Sequence, residues 1–189
     1  MLYKLAIFLL KPFFYFFYRI QVHGAYPLPE GPMVVIANHS HALDPFFISI
    51  IFPRKIHWMA KKELYDHKIM GALLRGVETI PVNREENDLK ALRAAMAYLR
   101  EGKVLGIFPE GTRVKEVDLH GKKTGTAVLA HRMKATIIPL YIESDFSLFK
   151  KTHIYFRPPL KLPSGKRKEE DYKQDMVGLM ARIYGIEEE

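Results

Sequence analysis

"PMVVIANHSHALDPFFISIIF", residues 32 to 52, decides the fold class. Residues 33–37 are a short, continuously apolar run, the pattern of a strand buried on both faces. Asp44 followed by Pro45 marks a helix start, with Asp44 expected as N-cap and Pro45 at the first helical position. The proline disfavours helical geometry at Asp44 and leaves 39–43 as a loop. Strand, loop and helix in that order open a βα unit.

The alternation continues down the chain. "KIHWMA" (55–60) predicts a second strand, "DHKIMGALLRG" (66–76) a helix and "VETIPV" (77–82) a strand. In 86–102, Leu89, Leu92, Met96 and Leu99 recur at helical spacing, and Gly102 stands where a C-terminal cap belongs. "KVLGIFPEG" (103–111) is a strand entering a turn, 125–133 a helix, 135–142 a buried strand, and 153–160 a strand ended by prolines. Residues 169–185 form a closing amphipathic helix, and the charged 164–173 stretch before it is a solvated turn. The expected fold is α/β, a central, mostly parallel mixed sheet with flanking helices and the site at one edge of the sheet.

Composition narrows the chemistry. With 189 residues there is room for one sizeable domain, and a 48% hydrophobic fraction with 12 Phe and 10 Tyr argues for a packed core and against disorder. Cysteine is absent, which removes disulfides, thiol nucleophiles and cysteine metal sites. A net charge of +8 favours a polyanionic partner: nucleic acid, an anionic membrane surface or a phosphorylated substrate.

The N-terminus tips that choice toward lipid. Residues 1–20, "MLYKLAIFLLKPFFYFFYRI", hold two apolar runs separated by Lys11 and Pro12, each too short to span a bilayer, which takes roughly 20 residues. No small-residue cleavage site follows, as a secretory signal would require. Phe13 to Tyr18 are residue types that favour the bilayer interface, and Lys4, Lys11 and Arg19 can reach head-group phosphates. The expectation is a membrane-anchoring helix over 1–21 ahead of a domain over 22–189. A helix packed into the domain and a short true span remain the alternatives.

Three clusters carry chemistry. In Asn38-His39-Ser40-His41-Ala42-Leu43-Asp44, one reading is a metal site, because HxH after a strand opens several zinc hydrolase sites. Against it, His23, His57, His67, His120, His131 and His153 supply no second paired motif. The other reading is a histidine–carboxylate pair, in which imidazole takes a proton from a substrate hydroxyl and the carboxylate fixes its tautomer. The plain reading is a helix cap beside solvated histidines. Spacing alone leaves both histidines open as Asp44's partner, although a loop that turns back favours His39. "IFPEGTR" (107–113) is a strand running into a turn where Gly111 allows close approach and Arg113 offers a forked donor to phosphate. "GVETIPVNR" (76–84) ends another strand on Arg84.

Taken together, these stretches resemble the glycerolipid acyltransferases of the 1-acylglycerol-3-phosphate (lysophosphatidate) type. That family's first motif, Asn-His, four residues, then Asp, matches Asn38, His39 and Asp44; by resemblance His39 is the base and His41 a spacer. The second motif is matched by Gly76, Val77 and Arg84, the third by "FPEGTR" at 108–113 and the fourth by "IIPL" at 137–140. Lys61 falls where similar proteins carry a lysine near the phosphate site, and Val114 departs from a frequent serine.

The resemblance implies acyl transfer from acyl-CoA or acyl-acyl carrier protein to the sn-2 hydroxyl of lysophosphatidate, with no cofactor, no metal, no acyl-enzyme and no nucleic-acid partner. His39 and Asp44 would be catalytic. Lys61, Arg84 and Arg113 would hold the acceptor phosphate, with Asn38, Glu110, Gly111 and Thr112 also lining the substrate pocket. The enzyme would sit on the cytoplasmic face of the cell membrane. Another lysophospholipid or glycerol 3-phosphate as acceptor, a zinc-dependent hydrolase, and a non-enzymatic binder of anionic lipid are the competing expectations.

Overall fold

A computed structural model describes residues 2–83, 88–114, 119 and 124–186. Along the chain come α1 (Leu2–Tyr18), β1 (Gln21–His23), β2 (Met33–Ala37), α2 (Asp44–Ile51), β3 (Ile56–Lys61), a 3-10 turn (Lys62–Tyr65), α3 (Lys68–Gly76) and β4 (Ile80–Val82). Then follow α4 (Leu89–Arg100), β5 (Val104–Ile107), α5 (Gly125–Arg132), β6 (Thr136–Glu143), β7 (His153–Phe156) and α6 (Glu169–Tyr184). Among the described residues the strands form one 7-stranded sheet in the order β1-β7-β6-β2-β5-β3-β4. Only β6 and β7 pair antiparallel, so the sheet is mixed and mostly parallel.

The continuous apolar run of β2 has its reason in this order. It is the middle strand, paired with β5 on one side and β6 on the other, so both its faces need apolar cover. Met33, Val35 and Ala37 join a core with Phe14 of α1 and Phe47 and Ile48 of α2. Val34 and Ile36 point the other way, into a core built by Ala95 and Leu99 of α4, Leu129 of α5 and Met176 and Leu179 of α6. Each of the larger side chains, from Val to Phe, contributes about 1.5–3 kcal/mol of apolar transfer, and the alanines less. The two cores clamp β2 and thereby fix where the chain leaves it.

The site lies at the carboxyl end of this central strand, not at a lateral edge of the sheet, which is where parallel α/β sheets place ligands. Two further expectations are corrected. Leu43, in helical geometry, is the N-cap of α2, and Asp44 is already helical. The Asp44 amide bonds back to the His41 carbonyl at 3.2 Å, and its carboxylate serves the preceding loop instead of the helix, which outweighs the bias of Pro45. β1 was not expected; its three residues are too few for an alternation signal, and pairing with β7 creates it.

α1 is packed into the domain along one face and exposes apolar residues along the other. Phe14 and Tyr18 are buried, each with its ring 5.1 Å from that of Phe47, so one face belongs to the core. On the other side Phe8 is 75% exposed, Phe16 66% and Leu9 61%. Among the described residues no helix is long and apolar enough to cross a membrane.

Candidate active site

His39 follows β2 directly, in the loop that turns back to α2. Its Nδ1 lies 2.9 Å from Asp44 Oδ2, and the same oxygen accepts the backbone N–H groups of Ser40 and His41, each at 2.8 Å. Asp44 is fully buried, and its place in the first turn of α2 puts the carboxylate at the positive end of the helix. Three donors converge on Oδ2, while Oδ1 is buried without a hydrogen-bond partner among the described residues. A carboxylate accepts only, so Nδ1 carries the ring proton and Nε2 is left with the lone pair. His41 is placed otherwise. Its Nδ1 accepts from the Leu43 N–H at 3.2 Å, and its ring stacks on Phe146 at 4.3 Å. The geometry therefore selects His39 as Asp44's partner.

His39 is gripped from four directions. Besides Asp44, its N–H donates to Glu110 Oε2 at 2.7 Å, its carbonyl accepts from the Val114 N–H at 2.9 Å, and its ring lies on Phe108 at 4.1 Å. Phe108 in turn stacks on Trp58 at 4.8 Å, and Trp58 is pinned by its Nε1–H donating to Ser49 Oγ. Gly106 makes this stack possible, because a Cβ there would come within 2.5 Å of the Trp58 ring. Gly111, at φ +70°, turns the chain after β5 in a conformation that costs glycine nothing, and its N–H closes the turn onto the Phe108 carbonyl.

Glu110 ties this loop to the far end of the chain. Its second oxygen accepts the Tyr184 hydroxyl at 2.5 Å, from the last residue of α6. Burial pushes the Glu110 carboxyl above its ordinary range, opposed by the bonds from Tyr184 and from the His39 backbone.

The remaining site candidates scatter more widely. Asn38 was expected in the substrate pocket, yet it is buried, and its amide spans to β6: Nδ2 donates to the Ile142 carbonyl at 2.9 Å and Oδ1 accepts the Ile142 N–H at 2.8 Å. It braces the loop. Lys61 ends β3 with an exposed side chain 3.5 Å from Glu63. Thr112 and Arg113 are exposed beyond the Gly111 turn. Arg84 lies outside the described residues. No group of three or more His, Cys, Asp or Glu among the described residues is arranged to hold a metal ion.

Residues 19–143 match the Acyltransferase family. The chain belongs to the acyltransferase family. Over 138 residues, 70% of the chain and 68% of the relative, it is 35% identical to the 1-acyl-sn-glycerol-3-phosphate acyltransferase of Bacillus subtilis (strain 168). It is 30% identical over 122 residues to the enzyme of that name from Helicobacter pylori, where the match spans 63% of the chain but only 52% of the relative. The crystal structure of the 1-acyl-sn-glycerophosphate acyltransferase PlsC from Thermotoga maritima has the same fold, with a TM-score of 0.73 at 22% identity over 97% of this chain and 79% of that one.

Within this acyltransferase, sequence reasoning missed the groups that hold the histidine in place. Phe108 stood inside a recognised motif without a role, and its ring stack on His39 and Trp58 needed the pairing of β3 with β5 to be seen. Tyr184 lies 74 residues from Glu110, and nothing local marks it.

Proposed function

We propose that this acyltransferase moves a fatty acyl group from an acyl thioester to the sn-2 hydroxyl of lysophosphatidate, giving phosphatidate. The observation that carries the reading is His39 with Nδ1 committed to Asp44 and Nε2 left to accept a proton. Nε2 removes the proton of the acceptor hydroxyl as its oxygen attacks the thioester carbonyl carbon. The tetrahedral adduct collapses by breaking the carbon–sulfur bond, and the imidazolium returns the proton to the departing thiolate. Asp44 stabilises the imidazolium while it lasts, and base catalysis of this kind supplies about 10²–10⁴-fold in rate. No protein nucleophile is needed, because the acceptor brings its own hydroxyl.

Lys61, Arg84 and Arg113, with Thr112 beside the Gly111 turn, receive the acceptor phosphate. Glu110 and Asn38 act on the loop rather than on the substrate, since their polar groups are taken by His39 and Tyr184 and by Ile142. The thiol that leaves is that of coenzyme A or of acyl carrier protein. The exposed apolar side of α1, bordered by Lys4 and Lys11, rests in the cytoplasmic face of the membrane, where the acceptor resides.

The test is acyl transfer in detergent from a labelled acyl thioester to lysophosphatidate. His39→Ala is expected to lose nearly all turnover, while His41→Ala and added chelator leave most of it. Equal loss in both variants together with chelator sensitivity overturns the base mechanism.

A further inference from the structure

The connection between β6 and β7 carries features that the catalytic chemistry does not use. Leu148 is 52% exposed and Phe149 55%, and exposed Lys150 and Lys151 follow them directly. Phe149 does not stand alone. Its ring lies 5.4 Å from Phe17 and 6.1 Å from the exposed Phe16, and its N–H donates to the Phe17 carbonyl. The tip of the connection is thus continuous with the open apolar side of α1.

Its shape is fixed rather than loose. The Thr152 N–H donates to the Tyr18 carbonyl at 3.0 Å, Ser144 and Thr152 share a hydroxyl bond at 2.8 Å, and Asp145 Oδ1 accepts the Ser147 N–H at 2.8 Å. Phe146 and Phe149 both sit at positive φ, +58° and +65°, a region that bulky residues rarely occupy. Backbone held in such a conformation by its surroundings points to a function for the side chains it presents. Phe146 faces inward, stacked on His41, whose own N–H is bound to Asp44.

We infer that residues 144–151 form a second contact with an anionic bilayer, with Leu148 and Phe149 entering the head-group boundary beside Phe16, and Phe146 joining that contact to the loop of His39. The occupant follows from the surface itself. Two bulky apolar tips backed by two lysines, next to a helix with Lys11 near its middle, match an apolar interior under a negative surface. Asp145, the acid of this segment, spends one oxygen on the Ser147 N–H. The inference rests on the lipid-acceptor reading above, and it makes the mouth of the site and the membrane contact one rigid unit.

The experiment uses the full chain and two paired variants. Leu148→Gln/Phe149→Asn removes the apolar tips, with Asn chosen because it tolerates positive φ. Lys150→Gln/Lys151→Gln removes the charges. Co-sedimentation with vesicles of phosphatidylcholine containing about one quarter phosphatidylglycerol should fall about tenfold for the apolar variant at any salt concentration. For the lysine variant it should fall several-fold at low ionic strength and little on phosphatidylcholine alone. Transfer to lysophosphatidate in detergent micelles should stay within about twofold of wild type for both, since neither pair reaches His39.

The inference is overturned if the apolar variant sediments like wild type, or if its micellar activity drops in parallel with its vesicle binding. It is also overturned if the substitutions change only the self-association of the chain, which would assign the patch to a second copy. A wild type that binds vesicles yet transfers no acyl group sinks the proposed reaction instead. One that transfers acyl groups but never binds vesicles sinks this inference and spares the reaction.

Discussion

Replacing Asp44 by asparagine removes one charge at the centre of the site while keeping its shape. The three donors on Oδ2 leave no choice of orientation: the amide oxygen must take that place, and the amide nitrogen must occupy the position of Oδ1. That position is buried and has no partner among the described residues, so a donor is stranded there at about 1–3 kcal/mol. Relief of the buried charge offsets part of the weakened bonds to Oδ2, and a net stability loss of about 1–3 kcal/mol is expected. The effect on rate should be larger. With charge centres about 4 Å apart and an effective dielectric near 20, an imidazolium at His39 loses about 4 kcal/mol of attraction, roughly 10³-fold in kcat. KM for the acceptor should stay within about threefold, because Asp44 touches only the loop. The assay is steady-state transfer from a labelled thioester in detergent, at a temperature where thermal melts show the variant folded. Retention of kcat within tenfold of wild type under those conditions would refute the paired-base argument.

Tyr184→Phe should lower kcat about three- to tenfold with KM nearly unchanged, because it removes one of the two described donors on Glu110; a change confined to KM would place Tyr184 against substrate instead. Burial makes the folded state hold a proton on Glu110 that the unfolded chain has released, so the stability this group contributes is full below the usual carboxylate range and is lost as pH rises through the raised value. Urea midpoints across that range should therefore show wild type losing its advantage over Glu110→Gln as pH increases, and an advantage that grows with pH would contradict the geometry. Gly106→Ala drives a methyl into Trp58 and should cost about 1–3 kcal/mol by overpacking, with kcat falling more than KM as the stack under His39 shifts. A variant of unchanged stability and turnover would show that the stack is incidental.

The alternation of strands and helices was legible because each element satisfies its own local rule. β2 is apolar throughout, as a strand covered on both sides must be, and α4 repeats its apolar residues at helical spacing with Gly102 beyond its end. The start of α2 misled for a physical reason: the same Asp–Pro pair suits a cap or the first helical turn, and only the loop donors decide between them. Spacing could nominate His39 and Asp44 but not separate them from His41, since it says nothing about which way a loop folds; the family resemblance made that choice, and the geometry pairs His39 with Asp44. The motif at 108–113 announced Glu110 as a pocket residue, whereas its carboxylate faces the His39 backbone and Tyr184. That partnership joins residues far apart in sequence and is invisible without the fold. α1 defeated a single reading because its aromatic residues surround the helix, and which of them are covered depends on Phe47 of a later element.

The pairing of β2 has a consequence for how the molecule comes to be. The first strand to reach the centre of the sheet finds its neighbours only when residues 104–107 and 136–143 have been made. The braces on His39 are later still in part: Asn38 waits for Ile142, and Glu110 for Tyr184. Contacts this distant along the chain are slow to form, because loop closure must be completed before they repay it. A chain emerging from the ribosome therefore makes the histidine and its acid long before the braces that hold them, and the last of these forms when α6 docks. Truncations that remove α6 should therefore lose stability as well as turnover, because they strip the cover from Val34 and Ile36 along with the brace on Glu110.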